Sequence, residues 1–308
     1  MALPLLGVLT AATGVVAQAP LIVTDVRAAI ARQDFAAGDR LVAAHRAAAG
    51  QTPALLEAMS WLGRGALAAG KLDAAEAYAQ RAYDEASAAL KRRPLDAEPH
   101  LPVALGAAIE VLGQVSARRG ARSEAVTFLQ EELRRHAGTS IEKRLQKNLH
   151  LLSLGGTHAP ALDLSESLLG QPAARTAFTG RVTLLFFWAH WCADCKAQEP
   201  AIGTLLQKYG QQGLQVIAPT QRFGYVAGGR EAGAAEEARY IVAVRQAAYP
   251  SLTLAPIPLA EANHRRYGVS TTPTLVLVDR QGLVRLYHPG RMAEEQLDAE
   301  VRRWLAAR

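Results

Sequence analysis

Val182-Thr183-Leu184-Leu185-Phe186-Phe187-Trp188 runs directly into Ala189-His190-Trp191-Cys192-Ala193-Asp194-Cys195-Lys196. The first seven residues are apolar but for one threonine and rich in branched and aromatic side chains, the composition of a strand buried on both faces. A helical pattern follows, over about Ala193–Tyr209. Strand therefore gives way to helix at the two cysteines, and that placement has a chemical consequence. Cys192, at the helix start, meets the positive end of the helix dipole and its unpaired backbone N–H groups, which favour thiolate over thiol. The thiolate is the attacking species in thiol–disulfide exchange. Cys195 lies one turn further on, close enough to resolve a mixed disulfide formed at Cys192. The chain has no other cysteine, which excludes a disulfide scaffold and a four-cysteine zinc site. A redox pair, a metal half-site and two inert core thiols are the readings left open.

Further along, Leu214–Ala218 and Thr274–Val278 read as strands, and Asp279-Arg280-Gln281-Gly282 as a turn into a fourth over Leu283–Tyr287. Helices are predicted over about Ala232–Ala247, Ala260–Tyr267 and Ala293–Ala307. This alternation predicts a layered α/β sheet. Gly224–Gly233, with four glycines, lacks the spacing of a phosphate loop and reads as a mobile surface loop at the edge of the cysteine site.

Trp191-Cys192-x-x-Cys195-Lys196 after a hydrophobic strand resembles the motif of the thioredoxin superfamily. Pro200 matches the proline that kinks the family's active-site helix, and Thr272-Pro273-Thr274 matches its cis-proline loop. Gly282 and Gly290 also fit, so the resemblance covers residues 157–308. The Ala159-Pro160-x-Leu162 opening, Gly180-Arg181-Val182 and the long insert before the cis-proline loop are similar to the exported, TlpA-like branch. The resemblance implies a thioredoxin-like domain with a central mixed sheet flanked by helices, and Cys192 and Cys195 as catalytic residues. It also implies substrate contacts from Trp191, Thr272 and Pro273, with the redox-active disulfide in place of a cofactor and no metal. The expected partners are a protein disulfide or dithiol and an upstream thiol electron donor.

Two departures bear on proton handling. Many thioredoxins carry a buried carboxylate six residues before the first cysteine, where this chain has Phe186. TlpA-like proteins often carry a glutamate three residues after the second; here Gln198 stands there, with Glu199 beside it. His190, Asp194, Glu199 and water are the remaining candidates. Asp194 would raise the Cys192 thiol pKa and Lys196 would lower it, so a moderately lowered value and a reducing or neutral poise are expected. Asp194 reads equally as a solvated first-turn residue, and His190 as an exposed strand-end residue. Ala189 occupies the place where a thiol peroxidase would carry threonine, which makes that activity the lesser reading.

The first half is different. Residues 22–154 are rich in Ala and Leu and poor in β-branched residues, a helical composition. Leu62-Gly63, Gly70, Ala75 and Ala82 recur at matching offsets as Leu112-Gly113, Gly120, Ala125 and position 132. Each unit reads as helix, glycine turn, helix: Pro53–Ala69 with Leu72–Arg92, then Glu98–Arg119 with Ser123–His136. A fainter unit precedes them, over Thr24–Arg32 and Phe35–Ala49. The pattern resembles tetratricopeptide repeats, although the two clear units lie 50 residues apart where such repeats take about 34. A generic helical bundle is the alternative. The region's histidines (His45, His100, His136, His150) have no metal-like spacing, so its expected task is to bind a protein partner or itself.

The 308-residue chain is half hydrophobic and carries a formal charge of +6. Its basic residues fall in scattered doublets and triplets without interleaved aromatics, which argues against nucleic acid as a partner. Residues 1–19 read as a signal peptide or N-terminal anchor: the first 24 residues are uncharged and Leu3–Val16 is apolar, though no Lys or Arg precedes it. No other uncharged run approaches the ~20 residues of a membrane span. The expected organisation is a leader (1–19), a repeat-like helical domain (20–154) and a thioredoxin-like domain (157–308), in a periplasmic or secreted protein that contacts the membrane only if the N-terminal segment stays uncleaved. The expected activity is that of a thiol:disulfide oxidoreductase acting on exported partners recruited by the helical domain. An interaction scaffold with a redox-sensing or structural thioredoxin-like domain is the alternative.

Overall fold

A computed structural model describes residues 21–168, 178 and 180–307, so the expected leader lies outside the described residues. Seven helices come first: α1 (Ile22–Ala31), α2 (Phe35–Ala49), α3 (Pro53–Ala68), α4 (Leu72–Leu90), α5 (His100–Arg118), α6 (Arg122–Arg135) and α7 (Glu142–Ser153). Neighbours in sequence pack as hairpins, and α1, α3, α5 and α7 also pack side by side as a layer. Gly70 and Gly120 take φ of +73° and +92° at the tight turns closing α3 and α5, a region that favours glycine. A Cβ on Gly63 would stand 3.4 Å from the Ala79 nitrogen, so the bare α-carbon lets α4 come close.

The second hairpin is not a copy of the first. Leu129 and Glu132 occupy the places that Ala79 and Ala82 hold in α4. Glu132 is buried and accepts hydrogen bonds from the Tyr83 hydroxyl (2.9 Å) and Arg135 Nη1 (2.6 Å), tying α6 to α4. The long period has two sources: α4 and α5 are 19 residues each, and a linker containing the short turn Leu95–Ala97 joins them. By length and composition α5 is apolar enough to cross a membrane, although Glu110 and Arg118 keep it from being an uncharged run. Leu101, Leu105 and Ile109 are fully buried against its neighbours, as in the core helix of a helical bundle.

The rest of the chain alternates: β1 (Val182–Phe187), α8 (Ala193–Tyr209), β2 (Leu214–Ile217), α9 (Ala234–Ala248), α10 (Glu261–Arg266), β3 (Thr274–Val278), β4 (Val284–Pro289) and α11 (Glu294–Ala306). The sheet order is β2-β1-β3-β4. β1 runs parallel to β2, with Val182 opposite Leu214, and antiparallel to β3, with Phe187 opposite Thr274. β3 and β4 form the expected hairpin. Alternate residues of β1 face two cores: Leu184 and Phe186 join one with Trp188, while Leu185 and Phe187 join the other with Tyr267 and Val276. This is the mixed sheet flanked by helices that the sequence led us to expect.

The two regions meet where α7 packs on α10 and β4. Lys143 pairs with Glu261 at 3.1 Å, the His150 ring meets Tyr287 edge-on, and His150 Nε2 donates to the Arg266 carbonyl at 2.8 Å.

Candidate redox site

β1 delivers the chain to the site and Trp188 anchors it. Its indole is fully buried, and Nε1 donates to the Ala218 carbonyl at 3.0 Å. Thr220 Oγ1 donates to the Trp188 carbonyl at 2.8 Å. The backbone then turns, with Cys192 N–H donating to the Ala189 carbonyl at 3.1 Å, and Cys192 becomes the N-cap of α8. Its Sγ accepts the Cys195 N–H at 3.0 Å, the place a capping oxygen takes in other helices. The two cysteines are joined as a disulfide, with Cα atoms 5.2 Å apart. Cys192 keeps 3% of its surface exposed and Cys195 none.

The Thr272–Pro273 peptide is cis. Because Thr274 pairs with Phe187, Pro273 lies across from the end of β1, beside the turn that carries the cysteines. The Gly290 N–H donates to the Pro273 carbonyl at 2.7 Å and holds the loop against the end of β4. Trp191 stands beside the disulfide with 49% of its surface exposed, its ring edge-on to Phe223 at 5.6 Å. Pro200 lies inside α8.

Around the pair, the positions singled out for proton handling separate. Phe186 is fully buried against Tyr249, which also packs on Trp188 at 4.6 Å between ring centres. The side of β1 that carries a carboxylate in many thioredoxins is therefore a wall of aromatic rings. Burial, and then the nearby Glu199 charge, push the Tyr249 phenol well above its ordinary range. Glu199 accepts the Ser251 N–H at 2.8 Å and Gln198 accepts the Met292 N–H at 2.8 Å, so both tie α8 to neighbouring segments. Asp194 is 67% exposed on its side chain, with Arg291 Nη1 3.9 Å away, and Lys196 is exposed.

His190 is the main correction among the site residues. The reading as an exposed strand-end residue fails: His190 is 2% exposed, and its Nε2 lies 3.3 Å from Oε1 of Glu237, itself buried on α9. The rings of Phe223, Tyr225 and Tyr240 surround the imidazole at 5.3–5.4 Å. Burial lowers the His190 pKa; Glu237 opposes the shift and Lys196 adds to it.

Glu237 also accepts the N–H groups of Phe223 (2.5 Å) and Gly224 (2.9 Å). The expected mobile loop is therefore held: Val226 N–H donates to the Arg230 carbonyl at 2.9 Å and Ala232 N–H to the Gly224 carbonyl at 3.0 Å. Glu237 and its aromatic neighbours had no signal in the sequence beyond their place in the long insert. Removing the carboxylate strands the buried His190 and the part-buried Phe223 N–H, which costs about 1–3 kcal/mol. A Glu237→Ala variant is expected to lose that much stability in urea unfolding and to exchange the Phe223 and Gly224 amide hydrogens faster. Unchanged exchange at both amides would show that the carboxylate does not hold the loop.

Comparison with known proteins agrees with this geometry. Residues 173–304 match the family described as Thioredoxin-like domain. The thioredoxin-like protein YneN of Bacillus subtilis is 25% identical over 146 residues, 47% of this chain and 78% of that one. The thiol-disulfide oxidoreductase ResA of Geobacillus thermodenitrificans is 27% identical over 156 residues, 46% of this chain and 73% of that one. Among solved structures, a thiol:disulfide interchange protein of Chlorobium tepidum aligns with a TM-score of 0.39 and 17% identity, covering 49% of this chain and 97% of that one. The second half of the chain is thus a thioredoxin-like domain, related to thiol-disulfide oxidoreductases and carrying a Cys192–Cys195 disulfide at its helix N-terminus.

Proposed function

We propose that the protein is a TlpA-like thiol:disulfide oxidoreductase that acts outside the cytoplasm on protein partners. The observation that carries the reading is the disulfide itself, formed where Cys192 caps α8 and flanked by the cis Thr272–Pro273 loop. In the reduced protein the Cys192 thiolate attacks one sulfur of a partner disulfide, forming a mixed disulfide and releasing one partner thiolate. Cys195 then gives up its proton and attacks Cys192 Sγ, which expels the second partner thiolate and restores the Cys192–Cys195 bond. Two electrons pass to the partner, and an upstream dithiol returns them. Trp191, Thr272 and Pro273 form the docking surface for an extended partner backbone. Lys196 favours the thiolate, while Asp194, solvated and near Arg291, opposes it weakly. Residues 20–154 recruit the partner in a repeat-like manner, 157–308 carry the exchange, and 1–19 direct export.

The test is insulin-disulfide reduction by the full chain with a dithiol donor. Catalysed precipitation of the insulin B chain is expected, and none above the donor's own rate would sink the proposal. A reduction potential near that of DsbA, about −120 mV, would reverse the direction of transfer.

A further inference from the structure

The layer formed by α1, α3, α5 and α7 gathers cations on one face. Arg27 of α1 and Arg64 of α3 both stand over the Trp61 ring, 4.5 and 4.4 Å from its centre. From α7, Arg144 and Lys147 reach the Glu110 carboxylate of α5 at 2.8 and 3.7 Å, and Arg64 approaches it from the other side at 3.9 Å. Asn148 Nδ2 adds a hydrogen bond to Glu110 at 3.3 Å. Burial alone would raise the Glu110 carboxyl, but the Arg144, Lys147 and Arg64 charges outweigh it and hold the group below its ordinary range.

One carboxylate does not balance four cations. Glu57, which accepts from Trp61 Nε1 at 3.1 Å and His100 Nδ1 at 2.7 Å, adds a second negative charge and still leaves the cations in excess. Arg27 has no ion pair among the described residues. Arg144 and Lys147 expose only 17% and 16% of their side chains, so water screens the surplus charge less than it would on an open surface. Fixed guanidinium groups in a half-dry setting suit carboxylates, which they bind through paired N–H groups.

We propose that this face binds an acidic segment of a protein partner, one carrying at least two neighbouring carboxylates, through Arg27, Arg64, Arg144 and Lys147. The chemistry favours polypeptide over nucleic acid. The cations form one compact cluster instead of a stripe along a backbone, and the Trp61 ring already carries two guanidinium groups where a base would stack. Position gives the site a use. The Lys147 backbone packs against Gly268, five residues before Pro273, so a segment held here lies beside the domain that carries the disulfide. The inference rests on the reading of the helical region as the recruiting half.

The experiment is fluorescence anisotropy of a labelled ten-residue Asp/Glu-rich peptide titrated with the full chain, alongside its Asn/Gln analogue and a single-stranded oligonucleotide. Saturable binding of the acidic peptide, weakened by salt and absent for the analogue, is the expected result. Arg27→Glu, at an exposed position outside the core, is expected to weaken it about tenfold with the melting temperature unchanged, and Arg64→Gln to weaken it similarly. No saturable binding, wild-type affinity in both variants, or binding of the oligonucleotide in place of the peptide would overturn the proposal. Insulin reduction by the same wild-type sample reports on the redox site separately. Its failure with peptide binding intact would overturn the oxidoreductase reading alone.

Discussion

A Cys192→Ser variant is expected to reduce insulin no faster than the donor alone, and a Cys195→Ala variant to accumulate as a covalent complex with its substrate. The two outcomes follow from the order of the steps. Only a sulfur that ionises near neutral pH attacks a disulfide at a useful rate, and a serine hydroxyl at the α8 N-cap does not ionise there. Serine is nonetheless a preferred N-cap residue and can accept the Cys195 N–H that Cys192 Sγ accepts now, so the fold is retained while the chemistry is lost. Cys195 is fully buried in an apolar cluster. Alanine there avoids the cost of an unpaired buried hydroxyl, about 1–3 kcal/mol, and leaves Cys192 able to attack but with no resolving thiol. Non-reducing gels of the reduced Cys195→Ala protein with insulin should show a band that disappears with dithiothreitol. Wild-type insulin reduction by Cys192→Ser would remove Cys192 as the nucleophile.

The largest structural effect is expected at Gly268. A Cβ there would lie 2.4 Å from the Lys147 nitrogen, 2.7 Å from the Gln146 carbonyl carbon and 2.8 Å from the Lys147 Cα. All three are backbone atoms of α7, so no side-chain rotation relieves the clash. The residue also takes φ of +61°, where an L side chain is strained. Gly268→Ala must therefore push α7 away from the sheet domain or distort the approach to Pro273. We expect a loss of more than about 4 kcal/mol, read as a lower melting temperature, and faster proteolysis between residues 154 and 157. A wild-type melting curve would show that α7 and the sheet domain are not rigidly docked.

Much of the fold was legible because its signals are local. Thr274–Val278 and Ala193–Tyr209 were read with the observed bounds, and the paired helices to within two residues or so, since period and turn glycines mark them. The tight approach at Gly63 was foreshadowed by the small residues facing it. Glu132 was not: its sequence position promised another small residue, and it is buried only because Tyr83 and Arg135 answer its charge. Gly224–Gly233 looked loose because glycine permits many conformations. The loop is ordered by Glu237, which its own composition does not announce.

Apart from the proline loop, which the thioredoxin resemblance implied, the sequence by itself determined that two cysteines would stand at a strand–helix junction. That information is local, carried by a few contiguous residues whose backbone preferences place the sulfurs at a helix end. The surroundings of those sulfurs were decided only by tertiary structure. His190 and Glu237 are 47 positions apart, and Arg144 and Glu110 are 34 apart. Such pairs form because packing removes both partners from water together, and an unpaired buried charge is too costly to keep. No spacing rule along the chain encodes that choice, so the electrostatic setting of the disulfide and the cation face of the helical layer emerge only when the helices and sheet are assembled.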